Sequence, residues 1–265
     1  MKKIGILGGG NLGSALAKGL IKSLAYKADE MILSKRNVDS LNELKTLGTQ
    51  ITSNNLEVVR SSEIIIIAVL PQKINEVLHE IKSELKSHQL IISVVTGVSI
   101  QNIQAIIGTD KTVVRAMPNT AISIMQSMTC IAGAEDNLTA ISQTQAIFEN
   151  VGKTIVINED KMTSATALNA CGIAFFLRAI RAATQGGTEI DFHAEDALLM
   201  AAQTAKGAAM LLLENNSHPE EEIDKVTSPK GCTIAGLNNM EHSGFSSAFI
   251  KGITTSAEKA KELYK

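Results

Sequence analysis

The chain has 265 residues, 45% hydrophobic and 20% charged, with a formal net charge of −2. That is an ordinary globular composition with room for about two domains. Balanced charge excludes a phosphate-coating nucleic-acid binder, which carries a basic excess. The longest unbroken apolar run, Ile64 to Leu70, falls far short of the roughly 18 residues that span a bilayer. The opening MKKIGILGGG runs into glycines without a small-residue cleavage pattern, so neither a membrane partner nor a signal peptide is expected. Cys130, Cys171 and Cys232 form no CxxC and imply no disulfide framework, which fits a cytoplasmic location.

In chain order, short β-branched runs alternate with helical patterns. Lys3 to Leu7 reads as a strand and Asn11 to Tyr26 as a helix; Met31 to Ser34 is a strand and Val38 to Leu47 a helix; Gln50 to Thr52 is a short third strand. Ile64 to Leu70 has no polar alternation, the mark of a strand buried on both faces. Pro71 opens a helix carrying Ile74, Val77, Leu78, Ile81 and Leu85 at helical spacing. Leu90 to Val95 and Thr112 to Arg115 read as strands around a helix at Ile100 to Ile107, and strands near Cys130 to Ala132 and Thr154 to Ile157 flank a helix around Leu138 to Asn150. This order predicts a parallel sheet with right-handed crossovers, covered by helices on both faces.

From Met162 onward no strand is predicted. A helix over Thr163 to Gln185 is expected to stop at Gly186-Gly187, and Ala194 to Asn215 is a second long helix. Shorter helices follow Pro219 and Thr233, and a last one runs from about Ser246 to Leu263. The boundary is placed at 158/159. Long apolar helices in so small a region predict burial against a second subunit.

Gly8-Gly9-Gly10-Asn11-Leu12-Gly13 satisfies GxGxxG between a predicted strand and a predicted helix, the context in which the motif binds a dinucleotide. Gly8 makes the tight turn, Gly10 admits a pyrophosphate and Gly13 lets the helix pack on the strand. The helix N-terminus, with Asn11 and Leu12, presents free N–H groups to the phosphates. An NAD site carries an acid at the end of the second strand. Here that end reads Ser34-Lys35-Arg36, a hydroxyl and two cations suited to a 2′-phosphate. The inferred cofactor is NADPH, with NADH as second candidate; the competing reading is a solvated basic turn.

Three further segments are Ala68-Val69-Leu70-Pro71-Gln72, Arg115-Ala116-Met117-Pro118-Asn119-Thr120 and Thr227-Ser228-Pro229-Lys230-Gly231-Cys232-Thr233. With GGGNLG they make the chain resemble the pyrroline-5-carboxylate reductase family along its whole length. The resemblance implies an α/β fold, with an N-terminal Rossmann-type domain (1–158) and a C-terminal all-helical dimerisation domain (159–265). It further implies a homodimer, with decamers built from dimers, and NADPH-dependent reduction of a small cyclic imine carboxylate to L-proline, the last step of proline biosynthesis. By resemblance, Asn55, Ala68, Val69, Pro71, Met117 and Asn119 line the cofactor. Thr166, Ser228, Gly231, Cys232 and Thr233 hold the substrate, with Thr233 beside the ring nitrogen as the catalytic group. Thr233 also reads as the N-cap of a helix from Ile234 to His242.

The chain departs from the family in places. Leu70 stands where lysine is usual. The family's TALSGSGPAY becomes Thr166-Ala167-Leu168-Asn169-Ala170-Cys171-Gly172-Ile173-Ala174-Phe175. Two alternatives stay open: reduction of a different imine, and a non-catalytic dinucleotide-binding regulator. Residues 162–185 contain no lysine, which argues against the related β-hydroxyacid dehydrogenases, whose alcohol chemistry uses a lysine on that helix. The five histidines form no metal-binding spacing, so no metal is expected. Met200 and Met210 read as core, and Cys171 and Cys232 as small packing residues.

Overall fold

The computed structural model describes residues 2–264. They divide into two compact units, residues 2–171 with 256–264, and Gly172–Thr255. In the first unit lie β1 (Lys2–Leu7), α1 (Asn11–Lys22), β2 (Met31–Ser34), α2 (Asn42–Thr46), β3 (Gln50–Thr52), α3 (Asn55–Ser61), β4 (Ser62–Ile67) and α4 (Ile74–Ile81). They are followed by β5 (Leu90–Ser93), α5 (Ile100–Ile107), β6 (Thr112–Met117), β7 (Ser127–Gly133), α6 (Leu138–Phe148), β8 (Gly152–Val156) and α7 (Met162–Ala165).

The eight strands form one sheet in the order β3-β2-β1-β4-β5-β6-β7-β8. Ile4 pairs with Ile64 and Ile6 with Ile66 in parallel register at its centre. Alternate residues feed two cores. Ile4, Ile6, Ile66 and Ile92 pack under Leu16, Leu20 and Phe148, while Leu7, Ile65, Ile67 and Ile91 pack under Val58, Leu78 and Ile103. Helices on both faces explain why the Ile64–Ile67 stretch carries no polar alternation.

Several local readings are corrected. β7 runs antiparallel to β6, so the sheet is not parallel throughout; a hydrophobic run carries no information about strand direction. β4 ends at Ile67 and not at Leu70; the Ala68 N–H makes the last parallel ladder bond, to the carbonyl of Leu7 at 2.8 Å, and a helical turn begins at Pro71. α1 ends at Lys22, with Leu24 at φ 64°. Helix α3 follows an Asn54 cap, whose side chain accepts from the Leu56 N–H at 2.9 Å; no helix was expected there.

Arg115 is buried beneath the sheet end and pairs with Glu159 at 3.2 Å. Glu159 also accepts from the Ile100 N–H at 2.7 Å, capping α5. Burial lowers the Arg115 pKa, and the Glu159 hydrogen bond and charge oppose that shift. The arginine of the Arg115–Thr120 segment is thus an anchor for the chain leaving β8.

After α7, Thr166–Cys171 forms a π-helical turn. The second unit holds α8 (Gly172–Glu189), α9 (Ala194–Asn215), α10 (Pro219–Lys225), α11 (Cys232–His242) and the first part of α12 (Phe245–Ala260). α8 continues through Gly186-Gly187 instead of stopping there. A Cβ at Gly187 would stand 2.9 Å from the Cβ of Ala197, so this glycine serves close approach of α8 and α9. Two helical stretches, Glu159–Glu189 and Ala194–Asn215, are long and apolar enough to cross a membrane by length and composition. Met200 and Met210 are exposed in the single chain, together with Leu199 and Leu213; they are not core within it.

Candidate functional site

The glycine loop leaves β1 at the point where strand order reverses between β1 and β4, where open α/β sheets bind ligands. Gly8 has φ 109°, and a Cβ there would lie 2.4 Å from the carbonyl oxygen of Ala68. The N–H groups of Gly8 and Gly9 donate to the Ser34 carbonyl at 3.2 and 2.7 Å, tying the loop to the end of β2. A Cβ at Gly13 would meet the Gly8 carbonyl oxygen at 2.1 Å, so this glycine is needed for helix packing. Around a Cβ built at Gly10 nothing stands within 4 Å. α1 begins with no side-chain cap and no acid in its first turn, which leaves its N–H groups and positive end available to an anion.

These features open into a cleft of about 800 Å³. Gly8, Gly10, Asn11 and Leu12 form its end at the glycine loop, and Ser34, Lys35 and Arg36 the end beyond β2. Asn55, Ala68, Val69 and Pro71 line it, as does the exposed Leu70. The open space at Gly10 and the acid-free helix start fit a pyrophosphate, and Lys35 with Arg36 fit a further phosphate on the adenosine ribose.

Ser34 does something other than expected. Its side chain is buried, and its hydroxyl donates to Asn55 Oδ1 at 2.6 Å. That proton is therefore engaged within the wall and is not offered to a ligand. Asn55 in turn donates to Glu80 Oε2 at 2.8 Å. Glu80, Glu76 and Lys73 also line the cleft, and sequence reading missed all three. Glu76 and Glu80 are one turn apart on α4, off the buried Ile74, Leu78 and Ile81, and Lys73 stands just before the helix; that periodicity was the available signal. Lys73 pairs with Glu76 at 2.8 Å. The Lys73 hydrogen bond and charge hold the Glu76 carboxyl below the usual carboxylate range, with a smaller contribution from Arg36.

Met117 and Asn119 do not line this cleft. They stand at the end of β6 and engage the π-helical turn. Asn169 donates to the Met117 carbonyl at 2.6 Å and accepts from Asn119 Nδ2 at 3.0 Å. Thr166 is buried in the same turn, its hydroxyl donating to the Met162 carbonyl at 2.9 Å.

In the second unit, the Gly231 N–H donates to the Ser228 carbonyl at 2.9 Å, closing a turn through Lys230 at φ 61°. The N-cap of α11 is Gly231 and the helix starts at Cys232, so Thr233 lies inside the first turn and is not the cap. Its side chain is half-buried, while Ser228 and Cys232 are exposed; Cys232 is not a packing residue. α11 has neither a side-chain cap nor an acid in its first turn, which suits a carboxylate ligand. His218 caps α10, its Nδ1 accepting from the Glu220 N–H at 3.2 Å. Among the described residues no three His, Cys, Asp or Glu side chains gather as a metal site.

Residues 159–263 match a family model described as pyrroline-5-carboxylate reductase dimerisation. Residues 3–97 match one described as NADP oxidoreductase, coenzyme F420-dependent. Pyrroline-5-carboxylate reductase 1 of Dictyostelium discoideum is 52% identical over 98% of this chain, which spans half of that protein's length. Pyrroline-5-carboxylate reductase 2 of the same organism is 49% identical over 98% of this chain and 93% of its own. The structure of the Plasmodium falciparum pyrroline carboxylate reductase, solved with NADP bound, superposes with a TM-score of 0.89 at 27% identity, covering 100% of this chain and 98% of that one. The chain belongs to the pyrroline-5-carboxylate reductase family, NAD(P)H-dependent oxidoreductases of proline biosynthesis.

Proposed function

We propose that this chain reduces 1-pyrroline-5-carboxylate to L-proline with NADPH as the preferred cofactor. The observation that carries the reading is the open cradle at Gly10 leading to Lys35 and Arg36. Bound NADPH supplies a hydride to the imine carbon. The glycine loop and the α1 N-terminus hold the pyrophosphate, and the two cations meet the 2′-phosphate.

The turn Ser228–Gly231 and the free N–H groups of α11 receive the substrate carboxylate. A cyclic imine is basic enough to need only orientation and one proton. The Thr233 hydroxyl supplies the first by hydrogen bonding to the ring nitrogen and relays the second from water. Residues 162–185 offer no lysine, and none is needed, because no alcohol has to be deprotonated. The protein's share of the catalysis is therefore placement.

The exposed apolar faces of α8 and α9 are covered by a second copy of the chain and not by lipid, which accounts for their length and apolar composition. Assembly beyond the dimer, up to a decamer, follows the same family reading. The free cysteines, with Cys130 buried, suit a cytoplasmic enzyme.

Thr233→Val tests the substrate arm of this reading. It should lower kcat/KM for the imine at least tenfold while the Kd for NADPH changes less than twofold. Unchanged turnover would remove Thr233 from the reaction.

A further inference from the structure

An acid that accepts the ribose hydroxyls of NADH is expected at the end of β2, and this chain has none there. A carboxylate nevertheless reaches the same region from a different element. Glu80 on α4 accepts from Asn55, which accepts from Ser34 at the end of β2. That pair of hydrogen bonds brings α4 alongside the turn that carries Lys35 and Arg36. One helical turn before Glu80, Glu76 lines the cleft together with Arg36 and Lys73. Its carboxylate is held by Lys73 at 2.8 Å. Leu70, standing where the family usually has lysine, lines the same wall and carries no charge.

We propose that Glu76, in the first turn of α4, and Lys73, the residue just before that helix, set the discrimination between NADPH and NADH as a specificity pair acting opposite in sign to each other. A carboxylate beside a 2′-phosphate repels it, and it also occupies the Lys73 ammonium that would otherwise bind the phosphate. The same carboxylate accepts a hydrogen bond from a ribose 2′-hydroxyl. With NADPH, Lys73 exchanges Glu76 for the phosphate and works beside Lys35 and Arg36. With NADH, Glu76 serves the role that a β2 acid serves elsewhere. Wild-type preference for NADPH is therefore partial, and Glu76 on α4 is the residue that limits it. This rests on the cofactor reading above and adds its selectivity determinant.

The experiment uses the full chain in its native assembly. The ratio of kcat/KM for NADPH to that for NADH is measured for wild type, Glu76→Gln, Lys73→Gln and the double variant at one ionic strength. Glu76→Gln should raise the ratio about tenfold, the scale of one charge-assisted hydrogen bond. Lys73→Gln should lower it by about as much, and the double variant should return toward wild type. Ratios within twofold of wild type in both single variants would overturn the proposal. Kd values for NADPH and NADH, read by nicotinamide fluorescence, give the same ratio without turnover. A chain that binds both cofactors but reduces no imine would thus count against the reductase reading while still deciding the role of Glu76.

Discussion

Asn169 donates its side-chain N–H to the carbonyl oxygen of Met117 at 2.6 Å. The same side chain accepts from Asn119, so one buried amide ties the end of β6 to the π-helical turn at Thr166–Cys171. π-turns inside helices recur at functional sites. In this chain the Asn169 side chain thus keeps the two segments joined.

Replacing Asn169 by alanine removes its bond to the Met117 carbonyl and leaves the Asn119 amide only the long contact to the residue 169 backbone carbonyl at 3.5 Å. At about 1–3 kcal/mol for an unsatisfied buried group, and ~2–4 °C per kcal/mol in a chain of this size, Tm should fall by about 5 °C. Asn169→Asp should be worse, because it sets a carboxylate against a carbonyl. Thermal scans at fixed protein concentration check this, and an aspartate variant as stable as wild type would refute the bonding pattern.

The glycines of the phosphate loop should separate in their effects. Gly10→Ala adds a methyl where no atom stands within 4 Å, whereas the same change at Gly13 drives a Cβ to 2.1 Å from the Gly8 carbonyl. Gly10→Ala should fold with wild-type Tm yet bind NADPH at least tenfold more weakly. Gly13→Ala should lower stability as well. Circular dichroism melts beside fluorescence titration distinguish the two; equal loss of stability would show that Gly10 is only a structural turn residue.

Much of the first unit was legible in the sequence because its strands and helices carry distinct periods. Gln50–Thr52 and Ile100–Ile107 were read at their observed bounds. Features set by tertiary contact were not. The reversal of β7, the passage of α8 through Gly186-Gly187 and the use of the Ser34 hydroxyl by Asn55 depend on neighbours distant in sequence. Met200 and Met210 show the same limit: an apolar helical stripe predicts burial but does not name what buries it. In the site, the glycine loop stood out because its chemistry is local, whereas Glu76 and Lys73 acquire meaning only once α4 is placed beside the end of β2.

The apolar face of α9 gives a direct test of assembly. Leu199 is 70% exposed and Leu213 75% exposed in the single chain. Leu199→Glu with Leu213→Glu should convert the assembly to monomer at micromolar concentration, since charges in an interface core are strongly unfavourable. Light scattering or native mass measurement reads it. A wild-type chain that is monomeric without detergent, or that partitions into detergent, would contradict the subunit interface.

Burial pushes the Cys130 thiol pKa up, and its side chain is shielded by Met117, Ala132 and Met162. The reactive form is the thiolate, so a raised pKa leaves less of it at pH 8 and delays reaction to higher pH. Cys130 should resist a disulfide reagent at pH 8 until denaturant is added, while the exposed Cys232 reacts in the folded chain. Peptide mapping of the labelled protein decides, and prompt labelling of Cys130 would show that its strand is not closed.

The central claim is reduction of a five-membered imine carboxylate with NADPH, and steady-state turnover measures it most directly. Purified chain is supplied with NADPH and, in separate reactions, 1-pyrroline-5-carboxylate or a panel of other cyclic imines, with product identified by chromatography. NADPH oxidation matched one-to-one by L-proline, with the other imines slower, is the predicted result. Cofactor binding without oxidation, or turnover of another imine in its place, would contradict it.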